Sequence, residues 1–210
     1  MPPPNDVLRV GELLCARIGH DLGGVIGTLI GALELTDDPA VAAEAQALAR
    51  QAVAELRQHL ELQRASWGPA AAALSLPALR SLVEAMPFAR RCVLDLAGLP
   101  DGTVFSPSFG RVVLNLVLLA IESLSGSGKV TLIGGGSDLV VAIAGPRAAW
   151  PAGLAACLAT EAAAWAALRD PAALQMPLTV LLARSAGLRL SLLLAAGQSS
   201  NVPPLRLQKV

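Results

Sequence analysis

His20 is the residue of this chain best suited to chemistry. A neutral imidazole nitrogen is nucleophilic, and an unperturbed histidine is largely neutral near pH 7. Arg17 stands one helical turn before it, Asp21 follows directly, and Gly24, Gly27 and Gly31 come four, seven and eleven residues later. At helical periodicity these residues share one stripe, so the ring stands beside nearly bare backbone with a cation near. Glycine costs about 0.8–1 kcal/mol relative to alanine inside a helix, so this run, which also holds Gly23, needs a reason. Spacing alone leaves two readings open. A large partner approaches the imidazole closely, or two helices cross closely around a structural histidine.

The element that must position His20 is a long amphipathic helix. Leu14, Ile18, Leu22, Val25, Leu29 and Leu33 recur at intervals of three and four, which predicts one helix from about Val7 to Leu35 after an extended lead over residues 1–6. A membrane span is disfavoured, because the apolar run between Asp21 and Glu34 is about a dozen residues against roughly 20 for a bilayer. Thr36-Asp37-Asp38-Pro39 breaks the helix, with Asp38 as N-cap and Pro39 in the first turn of the next. Residues 39 to about 66 are rich in strong helix formers, with Val41, Ala45, Leu48, Ala52, Leu56 and Leu60 as the apolar face. Two such helices make an antiparallel hairpin that cannot enclose a core alone. Pairing of two copies into a four-helix bundle is the economical solution, so a homodimer is expected.

After Trp67-Gly68-Pro69 and an alanine-rich linker the texture changes. A helix is predicted over Pro77–Met86, a strand over Arg91–Leu96, and an apolar helix opened by Ser106-Pro107 and running to Leu124. Two strands follow, Lys129–Ile133 and Leu139–Ala144, joined by a glycine-rich hairpin loop. Helices over Pro151–Leu168 and Pro171–Ala186 lead to a last strand, Leu188–Ala195. This order implies helices on one face of a mixed sheet, hence an α+β chain. The expected division is a helical hairpin over 1–67, an α/β sandwich over 74–197, and a flexible tail over 198–210. Ser125-Gly126-Ser127-Gly128-Lys129 superficially resembles a phosphate-binding loop, but Ser123 and Val130 stand where that motif needs Gly and Ser or Thr. A turn is expected there.

Equal numbers of basic and acidic residues, 16 each, provide no net field for nucleic acid or an anionic membrane surface. Hydrophobic residues make up 54% and charged ones 15%, which fits extensive burial including a subunit interface. Cys15, Cys92 and Cys157 lack metal-ligand spacing, and Cys15 and Cys92 read as buried free thiols. With no signal-peptide pattern at the N-terminus, a reducing cytoplasm is the expected compartment. His59, among Glu55, Arg57 and Glu61, reads as part of a solvated helix face, and Trp67, Trp150 and Trp165 as packing anchors.

Arg17-Ile18-Gly19-His20-Asp21-Leu22, followed by Gly27 and then Leu33-Glu34-Leu35, resembles the phosphoacceptor helix of the ChpT-type histidine phosphotransferases. More distantly it resembles the H-box of sensor histidine kinases. It departs from the family at Val25, where Pro is usual, and near Gly31, where Asn is usual. Residues 111–120 resemble the N-box helix of the kinase ATP-binding domain, whose element order the second part shares. The asparagine that serves the nucleotide-bound magnesium falls at Leu119, four residues after Asn115, and leucine offers a hard cation no oxygen. The adenine-reading Asp-x-Gly-x-Gly loop is replaced by Ala142-Ile143-Ala144-Gly145-Pro146.

The resemblance implies a phosphotransferase without ATP. His20 accepts a phosphoryl group from a receiver-domain aspartate of a hybrid kinase and passes it to a response regulator. Arg17 supplies a cation, and Asp21 orients the ring, acts as a base, or sits in a surface network. Gly24, Gly27, Thr28 and Gly31 form the receiver-docking face. Magnesium comes with the receiver, and this chain is expected to bind no metal or nucleotide cofactor. A non-catalytic dimeric scaffold for receivers and an ATP-dependent kinase fragment are the alternatives.

Overall fold

The computed structural model describes residues 4–84, 91–135, 137–193 and 202–210. Its first helix, α1 (Pro4–Glu34), begins inside the stretch expected to be an extended lead. Its Val7–Glu34 stretch is long and apolar enough, by length and composition only, to cross a membrane. Arg17, His20 and Asp21 interrupt it near its middle, and it packs along α2 (Ala42–Trp67), which returns beside it. Asp38 does not cap α2. Its Oδ1 accepts from the Ala40 N–H at 2.9 Å and closes a turn, and the helix starts after Val41 with no side-chain cap. The seam between the helices is lined by small residues, Ala32 of α1 with Ala45, Ala49 and Ala52 of α2. Leu33, Leu48 and Leu60, expected on the buried faces, are instead exposed, as are Ile26, Ile30 and Val53.

Beyond the hairpin come β1 (Leu74–Ser75), α3 (Leu76–Glu84), β2 (Cys92–Gly98), β3 (Val104–Phe105) and α4 (Pro107–Glu122). The predicted end of α3 at Met86 lies outside the described residues. Then follow β4 (Gly128–Gly135), β5 (Asp138–Ala144), α5 (Leu154–Ala159), α6 (Glu161–Ala166), a 3-10 turn (Pro171–Ala173), α7 (Gln175–Ser185), β6 (Leu188–Leu192) and β7 (Leu205–Lys209). The single helix expected over Pro151–Leu168 is broken at Thr160. There the backbone is extended and the hydroxyl accepts from the Ala163 N–H, capping α6.

The main sheet has the order β2-β4-β5-β7-β6, with β2 and β4 parallel across α4 and every other pair antiparallel. The chain is therefore α+β, a helical N-terminal region followed by a mixed sheet. Strand residues alternate between a buried face and an outer one. Val130, Leu132, Leu139, Val141, Ile143, Leu205 and Leu207 join the core with α4 and α7, while Lys129 and Arg206 stand outside beside Asp95 and Asp138. The expectation of a flexible tail over 198–210 is corrected by β7. Leu205 and Leu207 enter the core, and Arg206 pairs with Asp138 across the strand junction. The phosphate-loop lookalike is a turn between α4 and β4, where Ser125 has φ of 49°, and Lys129 pairs with Asp95 at 2.6 Å.

Gly110 of α4 is the point of closest approach to β1. A Cβ there would lie 2.7 Å from the Leu74 Cβ and 3.4 Å from that of Phe105. Gly110→Ala is expected to destabilise by about 1–3 kcal/mol through overpacking. That exceeds the roughly 1 kcal/mol of helix propensity alanine brings. Urea denaturation monitored by circular dichroism reads the difference.

Candidate functional site

His20 projects from the middle of α1 into solvent, with 88% of its side chain exposed. The only side chain on its ring among the described residues is Asp21, whose Oδ1 lies 3.4 Å from Nδ1. Asp21 Oδ2 accepts from Arg17 Nε at 3.1 Å. Arg17 reaches further, with Nη2 3.2 Å from Glu122 Oε1 on α4 and Nη1 donating to the Pro171 carbonyl at 3.4 Å. Two carboxylates and a carbonyl thus share one half-buried guanidinium. Burial opposes the charge on Arg17, but Glu122 and Asp21 together outweigh it and raise its pKa. Burial pushes the Glu122 carboxyl up, despite the opposing pull of Arg17.

The base of α1 is anchored by packing. Leu13 is buried with Leu168, Leu174 and Leu178, and Val10, Leu14, Trp67 and Trp165 close around them. Arg9 also donates to the Arg169 carbonyl at 3.0 Å. The half of α1 that precedes His20 is therefore fixed to the sheet-bearing part, and the half that follows runs along α2.

Beside His20 lies a groove of about 380 Å³ between α1, α2 and the end of α4. Gly24 and Thr28 line it, with Glu55, His59, Leu62 and Glu122 among its other walls. Thr28 Oγ1 turns back onto the Gly24 carbonyl at 3.1 Å, so its methyl is left to the surface. Gly27 and Gly31 continue the stripe but do not line the groove. At Gly24, Gly27 and Gly31 an added Cβ would meet nothing within 4 Å. The glycines thus do not serve a helix crossing within this chain. They leave open backbone next to the imidazole. His59 is half-buried and faces this groove, which corrects its reading as part of a solvated face.

The family pattern described as histidine phosphotransferase C-terminal domain matches residues 78–198. The chain belongs to the histidine phosphotransferase family. Over 95% of both chains, the phosphotransferase superposes on a solved structure described as a bacterial phosphotransferase, with a TM-score of 0.67 and 20% identity. That likeness is one of fold. A histidine kinase from Burkholderia phymatum STM815 aligns over 99% of this chain and 98% of its own at 19% identity, with a TM-score of 0.34. Among curated proteins nothing matches.

In the phosphotransferase, α4 has the burial of a core helix. Leu119, at the position where a kinase uses asparagine, is 1% exposed among aliphatic neighbours. Asn115 is also fully buried. Its amide donates to the Ser66 carbonyl at 2.8 Å and the Arg111 carbonyl at 2.9 Å, and its Oδ1 accepts from Gln175 at 3.1 Å. The residue joins three helices, and its amide oxygen is engaged by Gln175 inside the core. The cysteines differ from expectation in one respect. Cys157 is buried and Cys92 partly so, but Cys15 is exposed, because it falls on the face of α1 turned away from both α2 and the Leu13 cluster. Among the described residues no three metal-ligating side chains gather at one place.

Proposed function

We propose that this histidine phosphotransferase is of the ChpT type and relays phosphoryl groups in a bacterial two-component pathway in the cytoplasm. It takes the group onto His20 from the receiver aspartate of a hybrid kinase and hands it to a response regulator. Residues 1–67 are the phosphoacceptor and dimerisation unit, and residues 74–197 a kinase-like unit without nucleotide chemistry. The observation that carries this reading is an exposed imidazole held by one carboxylate on a helix face bare of side chains.

The chemistry follows from the ring's surroundings. Asp21 accepts a hydrogen bond from Nδ1–H, which leaves the Nε2 lone pair free and turned to solvent. Nε2 attacks the phosphorus of the receiver's aspartyl phosphate. The N–P bond forms, the P–O bond to the aspartyl oxygen breaks, and the carboxylate departs with its electron pair. A second receiver's aspartate reverses the step. Such transfers depend on alignment and charge stabilisation more than on covalent chemistry by the protein. The receiver brings its magnesium, and its docking helix approaches over Gly24, Gly27, Thr28 and Gly31. Leu119 in the hydrocarbon core supports a reaction without ATP.

The dimer reading rests on the outer face of the hairpin. Ile26, Ile30 and Leu33 of α1 and Val53 and Leu60 of α2 are exposed large apolar residues on two neighbouring helices, a pattern of covered surface in an assembly. Ile30→Glu combined with Val53→Glu is expected to turn a dimer into a monomer in light scattering, with helix content retained.

The test of function is transfer from a panel of phosphorylated receiver domains, with no ATP added. Acid-labile, alkali-stable label on this chain is expected from at least one receiver. Absence of label from every receiver that binds would leave a scaffold in place of a relay.

A further inference from the structure

Glu122 belongs to the sheet-bearing part of the molecule, 105 residues from Arg17 in sequence. A continuous polar line nevertheless runs from it to the phosphoacceptor. Glu122 Oε1 lies 3.2 Å from Arg17 Nη2, Arg17 Nε lies 3.1 Å from Asp21 Oδ2, and Asp21 Oδ1 lies 3.4 Å from His20 Nδ1. We propose that Glu122 is a positioning residue for His20: by holding one arm of the Arg17 fork, it leaves Arg17 only Nε for Asp21 and keeps Asp21 Oδ1 for the ring. This inference rests on the reading of His20 as the phosphoacceptor.

The argument is one of valence and geometry. A guanidinium prefers to close on a carboxylate with two parallel N–H bonds. Unrestrained, Arg17 would take both oxygens of Asp21, four residues away on the same helix, and His20 would lose its acceptor. In the structure the fork is divided. Nε goes to Asp21, Nη2 to Glu122 and Nη1 to the Pro171 carbonyl. With Nδ1 no longer tied, the imidazole samples both tautomers and several rotamers, and fewer encounters present the Nε2 lone pair in line with the donor. Glu122 is an unusual place for a carboxylate. It directly follows the apolar run Leu116–Ile121 of α4, and burial disfavours its charge unless Arg17 answers it. Glu55 and His59 of α2 are the other titratable groups on this groove.

The device also ties the reactive ring to the seat of α1 on the sheet-bearing part. The Arg9 bond to the Arg169 carbonyl and the Leu13 cluster hold that seat independently, so loss of the Glu122 charge need not undock it.

The test is the tautomer of His20, read from imidazole nitrogen shifts by NMR on the full chain, with His59→Gln used to assign the signals. Wild type is expected to be mainly the Nδ1–H form. Glu122→Met, close in length and without an acceptor for Arg17 Nη2, should shift the ring toward Nε2–H. It should also slow phosphoryl transfer at saturating receiver about tenfold, with the half-saturating receiver concentration unchanged. Arg17→Lys keeps the charge but has no fork to close on both Asp21 oxygens, so it should leave the ring mainly Nδ1–H and make the change at Glu122 silent. In an Asp21→Asn background, Glu122→Met should add nothing further. An unmoved tautomer in Glu122→Met, or a shifted one in Arg17→Lys, overturns the proposal, as do additive effects in the double variant. The nitrogen spectra need no phosphodonor. A tautomer shift in a protein that no receiver labels would retire the relay and leave the Glu122 assignment standing.

Discussion

His20→Ala is expected to abolish labelling by any phosphorylated receiver while leaving fold and receiver binding intact. The size of the effect follows from the absence of a substitute. The other histidine, His59, lies on α2 within the groove wall, and His20 alone combines exposure with an oriented nitrogen. The stability change should stay within about 0.5 kcal/mol, since the side chain is exposed and its one bond is to a neighbour already paired with Arg17. Loss of transfer without loss of melting temperature or of binding therefore assigns the chemistry to this ring. Residual acid-labile label on the variant would point to His59 and overturn the assignment. A variant that binds receivers as before, beside a wild type that takes no label, would leave only a docking role.

Much of this was legible in the sequence for a physical reason. The hairpin depends on local periodicity, and the three-four spacing of Leu14 to Leu33 and of Ala45 to Leu60 marks both helices within a few residues. Which side of each helix is buried was less legible. Spacing identifies an apolar face without saying whether this chain or another covers it, and Ile26, Ile30 and Leu33 are exposed here. The strands of the sheet announced themselves by β-branched and aliphatic runs. β7 did not, although Leu205 and Leu207 alternate with Arg206 and Gln208. Five residues after two prolines are a weak signal, and their place between β5 and β6 is set by partners far away in the chain. Thr160 was hidden by the alanines around it, which favour helix so strongly that a single capping hydroxyl is easily overlooked.

The site divides along the same line. His20, Asp21 and Arg17 are neighbours on one helix, so their association follows from spacing. Glu122 reaches them only through the tertiary fold, and no pattern within α4 marks its end residue as anything but a surface acid. Asn115 is intermediate. Its place in a kinase-like helix was legible, but its task was not, because that task depends on where α2 ends.

That task yields the second large effect. Asn115→Leu is expected to destabilise the protein by about 3 kcal/mol, in the range for leaving two buried polar groups unpaired. Ser66 lies in the last turn of α2, where carbonyls lack partners within their own helix. The Asn115 amide supplies one at 2.8 Å, and Arg111 does the same for the Gly68 carbonyl at 3.0 Å. On its other side Asn115 receives Gln175, which also reaches the Asn115 carbonyl at 3.0 Å and Thr179 at 3.2 Å. Leucine fills the volume but strands the Ser66 carbonyl and one bond of Gln175 in a dry core. The reciprocal change, Leu119→Asn, should be just as costly, since it buries an amide among aliphatic side chains, and it should restore no ATP binding. Urea denaturation of both variants, with ATP titrated by calorimetry, separates the two ideas about this helix. If Asn115→Leu is neutral, the amide is not a structural joint between α2, α4 and α7. If Leu119→Asn binds ATP, the helix has kept a nucleotide site that one residue masks.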